Sequence, residues 1–207
     1  MSGFFLTLEG GEGAGKTTAL TVISEWLESR GRPFLLTREP GGTQPGERIR
    51  ELLLDPDTGG LAPMTELMLM FAARNEHMAR VIRPGLAAGK VVVSDRFTDA
   101  SMAYQGAGRG LGRAPVEALS KLVHPDRLPD LTLLLDVPVE QGLARIRGRS
   151  GGPDRFEQSE SSFMERVRSA YLEQAQLEPE RFVVIDAARP LQEVSDRIRA
   201  ALQERLA

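Results

Sequence analysis

The sequence predicts an α/β fold in which helices flank a parallel sheet of five strands. Five short, nearly continuous apolar runs alternate with helical patterns, as is typical of parallel strands that are covered on both faces. The predicted strands span residues 4–9, 33–37, 90–95, 131–137 and 181–186. The predicted helices span residues 18–29, 64–88, 116–123, 139–147, 161–176 and 191–206. Because such sheets bind ligands beyond the carboxyl ends of their strands, the residues after each strand are the candidates for function.

Length and composition favour one domain that covers residues 1–207. The net charge of -3 provides no global basic field, so neither nucleic acid nor a membrane is an expected partner. The absence of cysteine excludes disulfides and thiolate metal sites. No apolar run approaches the roughly 18 residues of a membrane span. The sequence therefore favours a cytoplasmic protein.

The segment after the first predicted strand matches the phosphate-binding P-loop motif G-x-x-x-x-G-K-[ST]. It reads Gly10-Gly11-Glu12-Gly13-Ala14-Gly15-Lys16-Thr17, and Thr18 follows. Glycines allow several backbone N–H groups to surround one phosphate chain, and the next helix presents its positive end to the same charge. Lys16 would neutralise β- and γ-oxygens, and the Thr17 hydroxyl would bind magnesium. These features predict a P-loop NTPase fold rather than a dinucleotide-binding turn, because the G-x-G-x-x-G spacing is lacking.

Charged residues elsewhere in the chain favour a kinase among the P-loop proteins. Asp95 ends the third strand, where it could orient magnesium, and Arg96 beside it could clamp a phosphate. Arginines surround a glycine-rich segment at about 147–160, which predicts a mobile lid that brings positive charge to the transferred phosphoryl group. They are Arg145, Arg147, Arg149 and Arg155. The lack of an Asn-Lys-x-Asp segment disfavours a GTPase.

Three further segments could hold a second, anionic substrate. Arg38 follows the second strand and could take an acceptor phosphate, in a loop shaped by Pro40 and two glycines. Phe71 and Arg74 share a helix face, where they could stack on a base and hydrogen-bond its edge. The helix after the third strand carries a hydroxyl, a phenol ring and an amide on one face. The hydroxyl and the amide could hydrogen-bond a base edge, and the phenol ring could exclude a ribose 2′-hydroxyl. They are Ser101, Tyr104 and Gln105.

Taken together, these segments resemble the bacterial thymidylate kinase family in order and spacing. The matching segments are 9–18, Thr37-Arg38-Glu39-Pro40-Gly41-Gly42-Thr43, Ser94-Asp95-Arg96, Ala103-Tyr104-Gln105-Gly106 and 129–136. The resemblance extends from about residue 4 to the last helix. It implies a homodimeric enzyme that uses Mg²⁺ and transfers a phosphoryl group from ATP to dTMP, giving ADP and dTDP for dTTP synthesis.

The resemblance also implies roles for individual residues of the dTMP site. Glu12 would hold the 3′-hydroxyl of the sugar, while Arg38 and Arg96 would bind the phosphate. Arg74 and Ser101 would address the thymine edge with Gln105 nearby, and Tyr104 would disfavour ribonucleotides. Glu39 and Pro40 complete the set in the loop after the second strand. In relatives the ring that stacks on thymine stands four residues before the helix arginine. This chain has Met70 there and Phe71 one residue later, so either side chain could cover the base.

For ATP and for catalysis, the resemblance implies a second set of residues. Arg145 would pack on adenine, which Ala187 and Arg189 would border, and residues 10–18 would hold the phosphates. The loop carries no arginine, as in the bacterial subgroup whose flap supplies the catalytic charge. Catalysis would therefore depend on Glu12, Lys16, Arg96, Arg149 and Arg155. Magnesium would be placed by Thr17 and Asp95.

Two alternatives to a thymidylate kinase remain open at this point. Within enzymes, the chain could phosphorylate another nucleoside monophosphate or a deoxynucleoside, and the preferred acceptor would distinguish these. Outside kinases, it could be a nucleotide-binding switch or assembly protein that hydrolyses ATP slowly. Phosphorylation of any acceptor would exclude that second alternative.

Overall fold

The computed structural model describes residues 3–55, 57, 60–147 and 161–206, in which five parallel strands form one sheet. The strands are β1 (Phe4–Gly10), β2 (Phe34–Arg38), β3 (Val91–Asp95), β4 (Leu131–Asp136) and β5 (Phe182–Asp186). Their order is β2-β3-β1-β4-β5, so β1 lies at the centre. The predicted five-stranded parallel sheet is confirmed. Because β1 is central, the loop after it opens onto the carboxyl ends of both β3 and β4.

Helices cover both faces of this sheet. They are α1 (Lys16–Ser29), α2 (Gln44–Leu54), α3 (Pro63–His77), α4 (Arg83–Ala87), α5 (Thr98–Ser101), α6 (Arg113–Val123), α7 (Val139–Arg147), α8 (Ser161–Leu177) and α9 (Leu191–Leu206). Two π-helical segments interrupt the pattern: Met78–Ile82 joins α3 to α4, and Met102–Gly108 continues α5. The helix predicted at 64–88 is therefore α3, a π-helical turn and α4 in succession.

The sequence prediction omitted α2. Its start reads Gln44-Pro45-Gly46, two residues of which usually disfavour a helix interior. Proline is tolerated in a first turn because its missing N–H needs no partner there. The Thr43 side chain accepts a 3.0 Å hydrogen bond from the Gly46 N–H and so caps the helix. Local capping thus offsets the poor propensity of the first turn.

Alternate residues of the strands point to opposite faces of the sheet and build separate parts of the core. Leu6 and Leu8 of β1 pack in the cluster formed with α1 and α9. Phe5 points the other way and packs against Met78 and Ile82 of the first π-helical segment. Each buried side chain of this size contributes about 1.5–3 kcal/mol of hydrophobic stabilisation. In the parts of the chain described, no helix is long and apolar enough to cross a membrane.

Candidate active site

A cleft of about 260 Å³ lies at the carboxyl ends of the central strands. It is bordered by the P-loop, α2, α3, the end of β3 and the second π-helical segment. Most of the residues predicted for the site line it. They are Glu12, Gly13, Ala14, Gly15, Lys16, Thr17, Arg38, Glu39, Pro40, Met70, Arg74, Asp95, Arg96, Ser101, Tyr104 and Gln105. Residues up to 93 positions apart in the printed sequence, Glu12 and Gln105, therefore converge on one cleft.

The P-loop curls from β1 into α1 through glycines with positive φ angles. Gly10, Gly13 and Gly15 have φ values of 143°, 71° and 92°, which other residues rarely adopt. A Cβ atom on Gly13 would also lie 2.1 Å from the carbonyl oxygen of Gly142 in α7. The position therefore requires glycine for two independent reasons, its backbone angle and its close approach to α7.

The start of α1 is suited to an anion. In the described structure no side chain caps this helix, so its first N–H groups are available to a ligand. Lys16 Nζ donates 3.2 Å hydrogen bonds to the carbonyl oxygens of Gly10 and Gly11. Burial and the neighbouring Arg96 charge lower the pKa of Lys16. A bound polyphosphate would supply the negative charge that these neutral carbonyl partners lack.

Glu12, Arg96 and Tyr104 form a hydrogen-bonded cluster beside the P-loop. Glu12 Oε1 accepts from Arg96 Nη2 at 2.5 Å and from the Tyr104 hydroxyl at 2.8 Å. The Arg96 guanidinium also lies over the Tyr104 ring, 4.7 Å from its centroid. The side chains predicted to hold sugar and phosphate are thus in mutual contact.

The backbone of Arg96 is held in an unusual conformation. Its φ angle is 71°, in the left-handed region, which costs roughly 1–2 kcal/mol for a residue with a Cβ atom. The Arg96 N–H donates to the Leu8 carbonyl at 3.0 Å, and its carbonyl accepts from the Ser94 hydroxyl at 2.8 Å. Strained residues of this kind cluster at functional sites, where the surrounding structure holds them.

Behind Arg96 lie two groups that the sequence prediction did not assign. Arg96 Nη1 donates to the Tyr171 hydroxyl at 3.3 Å, and that hydroxyl donates to Glu9 Oε2 at 2.7 Å. Glu9 Oε1 accepts from the Phe97 N–H at 2.7 Å. Burial and the nearby Asp99 charge raise the pKa of Glu9 to about 8. Tyr171 gave no sequence signal, because it lies in an ordinary amphipathic stretch of α8 far along the chain.

Arg74 enters the cleft from α3 and is almost fully buried. Its Nε donates to Glu39 Oε2 at 2.6 Å, and its Nη2 donates to the Phe97 carbonyl and the Ser101 hydroxyl at 3.0 and 3.1 Å. Within the described residues, Arg74 Nη1 is buried and has no hydrogen-bond partner. One donor of a fixed guanidinium is therefore available to a ligand in the cleft.

Glu39 is itself held by a second buried group. Its Oε1 lies 2.9 Å from His77 Nδ1, and His77 Nε2 lies 2.6 Å from the Thr37 hydroxyl. Burial alone would raise the pKa of Glu39, but the charge of Arg74 and the contacts with His77 lower it below its ordinary value. The carboxylate thus fixes the orientation of Arg74.

The two candidates for covering a base occupy different places. Met70 lines the cleft. The Phe71 ring is 2% exposed and packs with Leu67 and Val116, while the Arg74 guanidinium lies 4.4 Å from its centroid. Phe71 therefore supports Arg74 from the core and does not line the cleft, which corrects its inclusion in the dTMP-binding set. The physical reason is helical geometry, because adjacent residues point about 100° apart.

Gln105 lies on the π-helical segment and is anchored from α3. Its Nε2 donates to Glu66 Oε1 at 2.8 Å. Glu66 is fully buried and also pairs with Arg109, whose Nε and Nη2 lie 3.3 Å from its two carboxylate oxygens. Glu66 was not assigned from the sequence, where it reads as an acidic residue of the kind that commonly occupies the first turn of a helix.

Two arginines approach the cleft from the edge of the sheet. Arg38 Nη2 donates to Glu47 Oε2 at 2.8 Å, and both side chains are substantially exposed. Arg50 lines the cleft from α2 and donates to the Pro40 carbonyl at 3.0 Å. Arg50 was missed because α2 was not predicted. Its guanidinium adds to the positive charge available for an acceptor phosphate.

Thr17 and Asp95, predicted to place magnesium, both line the cleft. Asp95 Oδ1 is buried and has no hydrogen-bond partner among the described residues. A hydroxyl and a free carboxylate oxygen beside a P-loop suit a hard cation that keeps several waters. Among the described residues, no group of three or more acidic or histidine side chains forms a protein-built metal cage. The donor set therefore fits magnesium that arrives with a nucleotide.

Arg145 joins the P-loop to the end of β5. Its Nη2 donates to the Ala187 carbonyl at 2.9 Å, and its Nη1 donates to the Gly13 carbonyl at 3.3 Å. Arg189 lies nearby on the chain, is mostly exposed and pairs with Asp186 at 3.2 Å. Arg145 and Ala187, two of the three residues predicted to border adenine, are therefore in contact. Arg149 and Arg155 of the predicted lid lie outside the described residues, so their catalytic role stays a prediction.

Comparisons with known proteins agree with this geometry. The family model described as thymidylate kinase matches residues 8–198. The thymidylate kinase of Pseudomonas fluorescens (strain SBW25) is 54% identical over 202 residues, which cover 98% of this chain and 96% of the relative. That of Alkalilimnicola ehrlichii is 54% identical over 97% of this chain and 92% of its own length. The crystal structure of thymidylate kinase from Ehrlichia chaffeensis matches with a TM-score of 0.79 at 33% identity, covering 98% and 99% of the two chains.

Each comparison spans nearly the whole chain rather than the P-loop alone. The family model matches residues 8–198 and so spans the segments after β2 and β3 as well as the P-loop. The resemblance inferred from the motifs is therefore confirmed, and the chain belongs to the thymidylate kinase family.

Proposed function

We propose that this chain transfers the γ-phosphoryl group of ATP to dTMP in the cleft beside the P-loop, giving ADP and dTDP for dTTP synthesis. Membership of the thymidylate kinase family supports the reaction and disfavours the two alternatives that the sequence left open. The observation that carries the placement of dTMP is the free Nη1 donor of buried Arg74, which lies across the cleft from the P-loop. A base bound there would direct its phosphate towards Arg96.

On the donor side, the P-loop N–H groups and Lys16 would bind the ATP phosphates. Arg145 would cover adenine, with Ala187 and Arg189 at its border. The Thr17 hydroxyl and Asp95 Oδ1 would hold Mg²⁺, directly or through water, and that ion would neutralise charge on the phosphate oxygens. These positions keep the γ-phosphoryl group at the open end of the loop.

On the acceptor side, the phosphate of dTMP would meet Arg96, Arg50 and Arg38. Arg38 can change partners at little cost, because an exposed pair such as Arg38–Glu47 is worth only about 0–1 kcal/mol. The Glu12 carboxylate would accept a hydrogen bond from the 3′-hydroxyl of the dTMP sugar. The Tyr104 ring, fixed by Glu12 and Arg96, would occupy the space that a ribose 2′-hydroxyl needs.

Catalysis in this arrangement needs no covalent intermediate. A phosphate oxygen of dTMP attacks the γ-phosphorus, the bond to the β–γ bridging oxygen breaks, and ADP leaves. The work of the protein is alignment and neutralisation of the charge that spreads over the transferred group. Lys16 and Arg96 would supply part of that charge. Arg149 and Arg155 are proposed to supply the rest from the lid.

From the family resemblance, we also propose that the protein forms a homodimer through its long helices. Met64 and Met68 lie four residues apart on α3, share a face, and are 40% and 51% exposed. Two exposed methionines on one face support this proposal. Sedimentation equilibrium of the protein and of a Met68→Lys variant would test it, since the variant should dissociate more readily. The cytoplasmic location stays a prediction.

The experiment that tests the function measures ADP formation from ATP and magnesium with one acceptor at a time. The acceptors are dTMP, dUMP, dCMP, dGMP, AMP and thymidine. We expect rapid turnover with dTMP and little without an acceptor. Preference for another acceptor would refute the proposed substrate, and equal hydrolysis with no acceptor would refute the kinase.

A further inference from the structure

We propose that Glu66 is a positioning residue that determines base selectivity by fixing the orientation of the Gln105 side-chain amide. This inference rests on the proposed function, because it concerns the base of the acceptor nucleotide. Glu66 does not line the cleft, and it acts only through Gln105. The selectivity at issue is between thymine and cytosine.

The orientation follows from what each group can donate. A carboxylate has only acceptor oxygens, whereas a glutamine amide has an NH₂ group that donates and an oxygen that accepts. Glu66 Oε1 lies 2.8 Å from Gln105 Nε2, so the NH₂ end of the amide faces the carboxylate. The carbonyl end, Oε1, must then face away from Glu66. In the described part of the chain, no hydrogen bond other than that to Glu66 is made by the Gln105 side chain.

Burial makes this orientation costly to reverse. Gln105 is 1% exposed and Glu66 is fully buried, so a turned amide would place its oxygen against carboxylate oxygens without water to separate them. Arg109 keeps the carboxylate in place from its other side, with both contacts at 3.3 Å. The position of the acceptor at Gln105 is thus set by groups outside the cleft.

The cleft consequently presents a donor and an acceptor in a fixed arrangement. Arg74 Nη1 is the donor without a partner among the described residues, and Gln105 Oε1 is the acceptor. Thymine offers the complement, an acceptor at O4 beside a donor at N3–H. Cytosine offers the reverse, a donor at N4 beside an acceptor at N3. A cytosine base would therefore leave Arg74 Nη1 and Gln105 Oε1 each facing a group of its own kind, a mismatch that buried polar sites discriminate strongly against.

The test compares kcat/KM for dTMP with kcat/KM for dCMP in matched variants. Glu66→Gln is isosteric but gives the neighbour of Gln105 a donor, so the amide can turn. We expect the dTMP-to-dCMP ratio to fall at least about tenfold. Arg109→Lys keeps both the Glu66 carboxylate and a positive charge beside it, and we expect the ratio to stay within about twofold of the unmodified protein. An unchanged ratio in Glu66→Gln, or an equal fall in Arg109→Lys, would overturn the proposal.

A double variant distinguishes positioning from simple structural support. Exchanging the pair, with Glu66→Gln and Gln105→Glu together, places a carboxylate that only accepts at the cleft. We expect it to restore the preference for dTMP, and an active exchange variant without that preference would overturn the proposal even if Glu66→Gln does not fold. The unmodified protein provides a last arm, since 3-methyl-dTMP lacks the N3–H donor. Its efficient use would also overturn the proposal. Failure of the unmodified protein to phosphorylate dTMP would instead refute the proposed function.

Discussion

The Tyr171 hydroxyl donates a 2.7 Å hydrogen bond to Glu9 Oε2, although 162 positions of sequence separate the two residues. The same hydroxyl accepts from Arg96 Nη1, so the first strand and α8 are joined behind the arginine that faces the cleft. Glu9 is fully buried at this junction. The protonation state of one carboxyl group is therefore linked to the folding of the whole sheet.

This linkage predicts how stability depends on pH. The pKa of Glu9 is about 8 in the folded protein against an ordinary 4.5, so between these values the folded protein holds a proton that the unfolded chain releases. The free energy of unfolding should then fall as pH rises, by up to about 1.4 kcal/mol per pH unit from this group. Glu9→Gln should flatten the slope, measured by urea unfolding between pH 6.5 and 8.

His124 is a second titrating group, and it sets the lower limit of the pH range in which the effect of Glu9 can be measured. Burial and the Arg74 charge lower the pKa of His124 from 6.5 to about 4, so its contribution to stability is lost as pH falls below 6.5. Above pH 6.5 this opposing effect is absent. Equal slopes for Glu9→Gln and the unmodified protein in the upper window would contradict the prediction.

The buried pair of Glu39 and Arg74 should be important for stability. Glu39→Gln removes one charge of a 2.6 Å pair whose members are almost fully buried, and we expect a loss of roughly 3 kcal/mol. Glu76→Gln on α3, the helix that carries Arg74, is the matched control, because Glu76 pairs with a largely exposed Arg80 at 3.4 Å and should change little. Chemical unfolding measures both. Equal midpoints for the two variants would show that burial of the pair is irrelevant.

Two glycines of the P-loop should respond differently to an added methyl group. Gly13→Ala combines a φ of 71° with a Cβ atom 2.1 Å from the Gly142 carbonyl, so we expect a loss of at least about 1–2 kcal/mol and weaker ATP binding. A Cβ on Gly11 would have no neighbour within 4 Å, so Gly11→Ala should lower stability less. Thermal melting and the KM for ATP are the measurements. A smaller effect at Gly13 than at Gly11 would contradict the steric account.

The lid arginines predicted from the sequence should act on turnover. Arg149→Ala and Arg155→Ala should each lower kcat by about 100-fold or more, because each removes charge from the transferred phosphoryl group. Arg199→Ala is a control for loss of an exposed arginine, since Arg199 pairs only with Asp196 in the described structure. The proposed lid mechanism predicts normal turnover for this control. Unchanged kcat in both lid variants would exclude the mechanism.

The strands and the P-loop could be predicted because their signals are local. A short apolar run covered on both faces identifies a parallel strand, and the P-loop motif is contiguous. The observed strand bounds differ from the predicted ones by at most one residue at either end, as in β1, Phe4–Gly10. The same local rules failed at α2, where a side-chain cap from Thr43 offset a first turn containing proline and glycine.

The parts of the site that escaped prediction depend on contacts between distant segments. Glu66 and Tyr171 are ordinary residues of amphipathic helices until the fold places them against Gln105 and Arg96. Met70 and Phe71 show a related difficulty, because a shift of one residue on a helix decides between the cleft and the core. Helical periodicity identifies the apolar face of a helix, but it does not show which residue on that face borders a cavity.

Transfer of labelled phosphate tests the central claim most directly. The protein would be incubated with magnesium, dTMP and ATP labelled in the γ-phosphate, and the products separated by chromatography. The account predicts that the label appears in the β-phosphate of dTDP in an amount equal to the ADP formed. Label released as inorganic phosphate, at a rate independent of dTMP, would contradict it.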